Sequence, residues 1–190
     1  FIAIDRATRS LFYRVYEAKS SENTEDFMNR CLEFFPFEIT HVLTDNGLEF
    51  TNRLIKSKKG QLCYKPSNLG EVCKANHMEH RLTQPNTPKT NGMVERATGI
   101  IKKETILKEN YTNKEAVNEA MMAFLVYYLP YRRYGGVRKE VAVKTPFLAV
   151  GRWFMLKPAI FKQNPCIFKN KSLCSQPNKS HSFHKHPYET

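Results

Sequence analysis

The spacing of apolar residues near the start of the chain limits the folds that it can adopt. Phe1 to Asp5 and Leu11 to Tyr16 are short runs of aliphatic and aromatic residues on either side of a polar turn, and they predict a β-hairpin. Helical spacing from a Ser20-Ser21 cap to Pro36 then predicts an amphipathic helix. Glu38 to Thr44 is a third β-rich run. Strands interleaved with helices indicate an α/β fold.

Weaker signals continue this pattern along the chain. Residues 53–70 are polar and rich in lysine, and predict an exposed, mobile excursion. Leu69 to Ala75 predicts a short helix and Met78 to Leu82 a strand. Two further helices are predicted, one from Met93 to Lys108 and one opened by a capping box at Thr112-x-x-Glu115. The second helix should bury one side, formed by Ala116, Val117, Ala120, Met121, Phe124, Leu125 and Tyr128.

The net charge narrows the classes of partner. The chain carries a formal charge of +12 and has a pI near 9.5, which favours a polyanionic partner, with nucleic acid ahead of an acidic membrane surface. No apolar run approaches the roughly 20 residues that span a bilayer. We therefore expect a cytoplasmic protein with no membrane partner.

The cysteines do not indicate a structural framework. There are five, an odd number, and none forms a CxxC pair, which argues against disulfides and against a zinc ribbon. The tightest candidate zinc cluster consists of Cys73, His77 and His80, with or without Cys63, but its spacing fits no common structural pattern.

Two carboxylates are placed by independent signals. Asp45 follows a predicted strand and precedes the turn residues Asn46 and Gly47, whereas Glu95 falls in the first turn of a helix that follows a proline-rich loop. Taken singly, each is explained as a turn residue or as an acid favoured by the helix dipole. Taken together in a basic chain, they indicate a divalent metal site for phosphate chemistry.

The surrounding residues are more specific than the acids alone. The segments Leu43-Thr44-Asp45-Asn46-Gly47-Leu48-Glu49-Phe50 and His80 to Arg96 closely resemble the integrase catalytic core shared by retroviral integrases and bacterial insertion-sequence transposases. The resemblance covers roughly residues 1 to 150, with a weaker echo from Trp153 to Pro165. It implies a ribonuclease H-like mixed sheet flanked by helices, with residues 151–190 as a carboxyl-terminal extension that ends in a disordered tail.

The resemblance also implies the chemistry. Asp45 and Glu95 would be the second and third acids of a triad that binds two Mg²⁺ or Mn²⁺ ions for DNA cleavage and strand transfer. Asn46, Gly47, Asn91 and Gly92 would form the active-site loops. We expect Lys102, Lys103, Arg132 and Arg133 to contact DNA phosphates at transposon ends and target, although a solvated surface explains each one equally well. The full-length protein would form a homo-oligomer, and the resemblance implies a bacterial protein associated with the nucleoid.

The first acid of the triad has no good candidate. In this family it lies on a first strand, and two further strands and a helix precede the strand that bears the second acid. Only Leu11 to Tyr16 and the predicted helix lie between Asp5 and Asp45. We therefore expect that the chain lacks the first strand, that it is cut at its amino terminus, and that Asp5, Thr8 and Arg9 order the hairpin turn.

Three functions remain open at this point. The chain is an inactive fragment of a transposase core, a DNA-binding relic without chemistry, or a nuclease of the same fold. Departures from the family pattern at Ala97-Thr98, Tyr128-Leu129 and Arg132-Arg133-Tyr134 favour relaxed constraint. His181, His184 and His186 lie in the polar tail, where disorder, or a tail read in a shifted frame, explains them better than a metal site.

Overall fold

A computed structural model describes residues 1–53, 60, 65–84, 92–133 and 142–162. The lysine-rich excursion, the proline-rich loop with Asn91, and the polar tail fall largely or wholly outside the described residues. The described elements follow in the order β1 (Ile2–Ile4), β2 (Leu11–Tyr13), α1 (Ser21–Phe34), β3 (His41–Thr44), α2 (Asn68–Ala75), β4 (Glu79–Leu82), α3 (Gly92–Ile101), a π-helical turn (Lys102–Ile106), α4 (Lys114–Tyr131), α5 (Pro146–Leu156) and a 3-10 turn (Pro158–Ile160).

The strands form two pairs of opposite type. β1 and β2 are antiparallel, with Ala3 opposite Phe12, and form the predicted hairpin. β3 and β4 are parallel, with Val42 opposite His80. Among the described residues no strand pairing joins the two sheets. Parallel and antiparallel pairing in one α/β chain agrees with the mixed arrangement expected from the sequence.

Asp5 organises the hairpin turn. Its Oδ2 accepts hydrogen bonds from the backbone N–H of Ala7 at 3.2 Å, the backbone N–H of Thr8 at 2.6 Å and the Thr8 hydroxyl at 2.7 Å. Arg9 takes a left-handed backbone with φ of 64° and donates its N–H to the Asp5 carbonyl at 2.9 Å. The carboxylate therefore satisfies three donors inside the turn, as a short polar side chain at this position can do.

Helices cover both faces of the hairpin. On one face, Leu11 and Tyr13 pack with Ala97 and Ile101 of α3 and with the buried side of α4, which consists of Met121, Phe124, Leu125 and Tyr128. On the other face lies a second cluster, which we call the aromatic layer. Its buried residues are Phe27, Met28 and Cys31 of α1, Phe35 directly after α1, Leu69, Val72 and Cys73 of α2, and Met78. Phe1, Ala3, Phe12, Val42 and Phe50 pack against them.

The helix ends show where local signals succeed and where they fail. The Ser20 side chain caps α1 by accepting from Asn23 N–H, as predicted. The predicted capping box at Thr112 is wrong: Asn113 caps α4 by accepting from Ala116 N–H at 2.8 Å, because its amide oxygen does the same work one residue later. α5 was not predicted from the sequence, although Thr145 and Pro146 are a recognisable cap and first helical residue.

The helix after Glu95 is also shorter than predicted. An α-helix ends at Ile101 and a π-helical turn follows from Lys102 to Ile106. Thr105 is buried there and its hydroxyl donates to the Ile101 carbonyl at 2.6 Å. The wider turn brings Thr105 into the core while it leaves Lys102 and Lys103 exposed.

The last described residues return to α1. Phe161 forms an isolated antiparallel bridge with Phe37, and Lys162 N–H donates to the Pro36 carbonyl at 3.0 Å. The Lys162 ammonium donates to the carbonyls of Leu32 and Phe35 at the end of α1, where a cation is favoured by the helix dipole. α5 runs through residue 150, at which the sequence suggested a domain boundary, and that division stays a prediction.

Replacing Asp5 by alanine should destabilise the protein without changing its fold. The three donors of the turn would lose their acceptor, and hydrogen bonds to a charged group contribute about 1.5–3 kcal/mol, so we expect the free energy of unfolding to fall by about that amount. Urea unfolding followed by circular dichroism would measure it. Asp5→Asn keeps one acceptor oxygen and should therefore be destabilised less than Asp5→Ala. Equal stability of wild type and Asp5→Ala would contradict the structural role.

Candidate active site

Asp45 is the first residue after β3 and its side chain is exposed. Its Oδ1 accepts the backbone N–H of Gly47 at 3.1 Å, which closes a turn of the kind that aspartate favours after a strand. The Gly47 carbonyl then accepts the N–H of Phe50 at 3.0 Å and that of Thr51 at 3.1 Å. The carboxylate thus stands on a compact turn at the carboxyl end of a strand, where ligands commonly bind in α/β sheets.

Asn46 and Thr83 join this turn to β4. The Asn46 side-chain amide donates to the Thr83 carbonyl at 3.1 Å, and Thr83 N–H donates to the Thr44 carbonyl at 2.8 Å. Because β3 and β4 are parallel, their carboxyl ends lie at the same edge of the sheet. The residues on either side of Asp45 are therefore fixed to the neighbouring strand, and the direction of the carboxylate is limited accordingly.

A histidine lies beside the same strand end. His80 Nε2 and the Thr44 hydroxyl are 2.8 Å apart, across the β3–β4 pair. Burial lowers the pKa of His80, and the positive charge of Arg53 lowers it further. A pKa that is lowered in the folded state means that protonation of His80 disfavours folding. The free energy of unfolding should therefore fall as the pH drops through the ordinary pKa of histidine.

Glu95 is exposed in the first turn of α3. Two residues on the opposite side of this helix, Ala97 and Ile101, are 2% and 1% exposed in the first core cluster. Arg9 of the hairpin turn also donates to the Met93 sulfur at 2.6 Å. Packing and this contact hold the first turn of α3 against the hairpin, so that Glu95 faces outward from a fixed base.

The predicted site residues therefore lie on two separate elements, the turn after β3 and helix α3. Asp45, Asn46 and Gly47 share one turn, whereas Glu95 and the exposed Gly92 belong to α3, and Asn91 lies outside the described residues. Within the part of the chain that the structure describes, no group of three or more His, Cys, Asp or Glu is arranged to hold a metal ion. The candidate zinc residue Cys73 is buried in the aromatic layer, where burial raises the pKa of its thiol.

The four predicted DNA-binding residues lie on different elements. Lys102 and Lys103 are exposed on the π-helical turn, Arg132 follows α4 and is half-buried, and Arg133 is exposed. The two lysines therefore lie on a π-helical turn and not on the continuous α-helix predicted from Met93 to Lys108. The lysines still follow Glu95 along the same run of chain.

The residues whose contacts hold the turn at Asp45 in place were not predicted from the sequence. Thr44, His80 and Thr83 are polar residues in or beside short strands, and their contacts depend on the register of β3 against β4. The alternation in β4, which leaves Glu79 and Arg81 exposed and His80 and Leu82 half-buried, was the available signal.

Sequence comparison finds a distant viral relative. The putative integrase ORF3 of Spiroplasma virus SpV1-C74 is 26% identical over 148 residues, a match that covers 76% of this chain. The chain spans about two fifths of that relative's length, since the match covers 39% of it. No protein-family model matches the chain.

Solved structures show the same fold. The catalytic core domain of BIV integrase aligns with a TM-score of 0.56 and 18% identity, over 83% of this chain and 88% of that domain. The HTLV-2 integrase catalytic core, described in complex with magnesium in a trimeric form, aligns with a TM-score of 0.53 and 19% identity, over 77% of this chain and 80% of that one. The predicted fold class is confirmed: this chain has the ribonuclease H-like fold of integrase catalytic cores, and it is integrase core-like in both sequence and structure.

Proposed function

We propose that this chain is part of the catalytic core of a DNA transposase or integrase, and that Asp45 and Glu95 are two of its metal-binding acids. The observation that supports this most directly is the position of Asp45, which stands on a turn braced by Asn46 and Thr83 at the carboxyl end of β3. Glu95 is presented outward from the first turn of α3 in the same fold.

The donor chemistry of these residues fits a hard divalent cation. Both side chains are exposed carboxylates, and Mg²⁺ and Mn²⁺ prefer oxygen ligands. The HTLV-2 core with which the fold aligns is described with magnesium. Bound there, metal would supply activation of the attacking oxygen and charge stabilisation at phosphorus. The role of the protein is to hold Asp45 and Glu95 in place and to keep their orientation through the turn and the helix.

A third acid is needed to complete a two-metal site, and Asp5 does not supply it. The Asp5 carboxylate already accepts three hydrogen bonds within the hairpin turn. We propose that the described residues do not supply the third acid of a two-metal site, and that the chain alone is therefore inactive. A DNA-binding relic without chemistry is the second candidate, favoured by the three hydrogen bonds that occupy the Asp5 carboxylate within the hairpin turn.

DNA would be the partner. The net charge of +12 supports binding of a polyanion. Lys102 and Lys103 would contact DNA phosphates beside Glu95, and Arg132 and Arg133, which follow α4, would contact phosphates at a second place. Transposon ends and target DNA of an insertion sequence are the proposed substrates, and the full-length protein would self-associate.

No helix among the described residues is both long and apolar enough to cross a bilayer. We propose a nucleoid-associated protein of the bacterial cytoplasm.

Catalytic competence can be tested with donor-end DNA that carries a free 3′-hydroxyl, incubated with target DNA and Mg²⁺. We expect neither nicking nor joined product, because two acids cannot hold both ions. Electrophoresis of labelled DNA would show either product. Activity that survives in wild type and disappears in Asp5→Asn would overturn the exclusion of Asp5, and nicking without joining would support a nuclease instead.

Metal binding tests the assignment of Asp45 and Glu95 without any need for activity. We expect weak Mn²⁺ binding, measured by electron paramagnetic resonance, that falls at least about tenfold in Asp45→Asn and in Glu95→Gln, since even residues that only orient a ligand cost 10–100-fold when lost. Asp5→Asn is the matched control and should bind Mn²⁺ as wild type does. Unchanged Mn²⁺ binding in the Asp45 and Glu95 variants would remove both from the site.

DNA contact by the π-helical turn can be tested through salt dependence. If Lys102 and Lys103 neutralise phosphates, Lys102→Ala and Lys103→Ala should each reduce the slope of log affinity against log salt by roughly 0.9 on duplex DNA. Fluorescence anisotropy at several salt concentrations would measure the slopes. Lys74→Ala, a change at an exposed lysine of α2, is the control, and equal slopes in all variants would show that the turn does not touch DNA.

A further inference from the structure

Three elements meet at the hairpin turn between β1 and β2. The Tyr128 hydroxyl donates to the Arg9 carbonyl at 3.1 Å, and the Arg9 guanidinium donates to the Met93 sulfur at 2.6 Å. Tyr128 lies in the last turn of α4 and Met93 in the first turn of α3. The end of one helix and the start of the other are therefore brought to the same turn, and Glu95 lies at this end of α3.

Exposed and half-buried arginines are brought together at this meeting point. They are Arg6 in the hairpin turn, Arg96 in α3, and Arg132 and Arg133 directly after α4. Residues three or four apart lie on the same side of a helix. Arg96, the third residue after Met93, is therefore beside the hairpin turn, and so is Arg132, the fourth residue after Tyr128.

These four arginines are not neutralised within the part of the chain that the structure describes. No salt bridge there includes any of them, whereas Arg30 pairs with Asp26 and Arg81 pairs with Glu79. Like charges that are held together repel one another, so such a group fits a polyanionic partner. The planar guanidinium group matches phosphate in particular, because it can donate two parallel hydrogen bonds.

Two exposed tyrosines lie at the same end of α4. Tyr131 is 70% exposed and Tyr127 is 41% exposed, and their rings are 6.3 Å apart and only 24° from parallel. Exposed rings in this arrangement offer flat apolar faces on which unpaired bases can stack. Tyr131 directly precedes Arg132, so the aromatic and the charged parts of the surface are continuous along the chain.

We infer that this surface binds unpaired nucleotides of a DNA strand, with phosphates on the arginines and bases on the tyrosine rings. We call it the arginine–tyrosine corner, and it consists of Arg6, Arg96, Tyr127, Tyr131, Arg132 and Arg133. Stacking rings beside a positively charged surface are the two components of sites for single-stranded nucleic acid. The inference extends the proposed function, and rests on it only for the identity of the strand as a donor end near Glu95.

A second copy of this chain is the rival occupant of this side of α4. Met122 and Val126 are 53% and 68% exposed, and they continue the apolar side of the helix away from the arginines. A contact between two copies would use that whole side, whereas unpaired DNA would depend on the charged end. Charge complementarity favours DNA, because the arginines of the corner have no acidic partner among the described residues.

Fluorescence anisotropy of the full chain with a labelled oligothymidylate of about twelve nucleotides tests the stacking. Tyr131→Ala should weaken binding of this single strand by about fivefold or more, the effect of losing one stacked base, and should leave the affinity for a duplex of equal length unchanged. Tyr131→Phe keeps the ring and should bind as wild type does. Met122→Ala, a change at an exposed apolar residue of the same helix, is the control. Equal single-strand affinity of wild type and Tyr131→Ala, or an equal loss on the duplex, would overturn the inference.

The arginines are tested by the salt dependence of single-strand binding. Arg6→Ala and Arg96→Ala should each lower the slope of log affinity against log salt by roughly 0.7. Arg30→Ala removes an arginine that pairs with Asp26, and should keep the wild-type slope. Wild-type slopes in both Arg6→Ala and Arg96→Ala would contradict the inference.

Sedimentation velocity in the absence of DNA tests the rival occupant. If a second copy covers this side of α4, Met122→Ala and Tyr131→Ala should both shift the chain towards the monomer, and single-strand affinity should fall in both. That result would overturn the inference. A loss of single-strand affinity in Tyr131→Ala alone, at an unchanged oligomeric state, would support it.

Mn²⁺ binding separates this inference from the proposed function. Tyr131→Ala should bind Mn²⁺ as wild type does, and Asp45→Asn should bind the oligothymidylate as wild type does. Single-strand binding that depends on Tyr131, in a wild-type chain that binds no Mn²⁺, would support the corner and count against the proposed function alone.

Discussion

The aromatic layer is the contact on which the rest of the structure depends. Phe12 stacks on Phe27 and Phe34 at ring distances of 5.6 and 4.7 Å, and Phe1 lies edge-on to Phe50. Aromatic side chains bury large areas and prefer such tilted and offset geometries. Since no backbone ladder among the described residues joins the two sheets, side-chain packing on α1 and α2 is what holds them together. Burial in this layer raises the pKa of the Cys31 thiol to about 12.

The geometry of the candidate site depends on that packing. Asp45 stands on a turn bonded to β4, and β4 is placed by α2, whose residues Leu69 and Cys73 are buried in the aromatic layer. Glu95 is placed differently, through the other face of the hairpin, where Ala97 and Ile101 meet Leu11 and Tyr13. The elements that position the two acids thus pack against different faces of the same hairpin. A change in the hairpin would alter their separation without touching either one.

Local sequence signals predicted most of the fold because the amphipathic patterns are strong and short-range. The hairpin, α1, α2, β3 and β4 follow directly from apolar spacing, and each has its predicted type in the structure. The π-helical turn could not be predicted in this way, because the burial of Thr105 depends on packing that no local pattern records. The capping error at Thr112 has a similar origin, since adjacent Thr and Asn are both good caps.

The candidate site was less predictable than the fold. Motif resemblance identified Asp45 and Glu95, yet the bracing contacts of Thr44, His80 and Thr83 arise only once β3 and β4 are aligned in register. For Asp5, the count of strands before Asp45 predicted a residue that orders the hairpin turn. Its three hydrogen bonds place it in the turn.

The return of Lys162 to the end of α1 has a mechanical consequence. The Lys162 ammonium is held by two carbonyls of that helix, and partial burial lowers its pKa, with Glu38 acting in the opposite direction. Tension on the polypeptide beyond this point would be transmitted first to the last turn of α1 and from there to the aromatic layer, with α5 bypassed. Lys162 is thereby anchored to the helix whose residues Phe27, Met28 and Cys31 are buried in the aromatic layer.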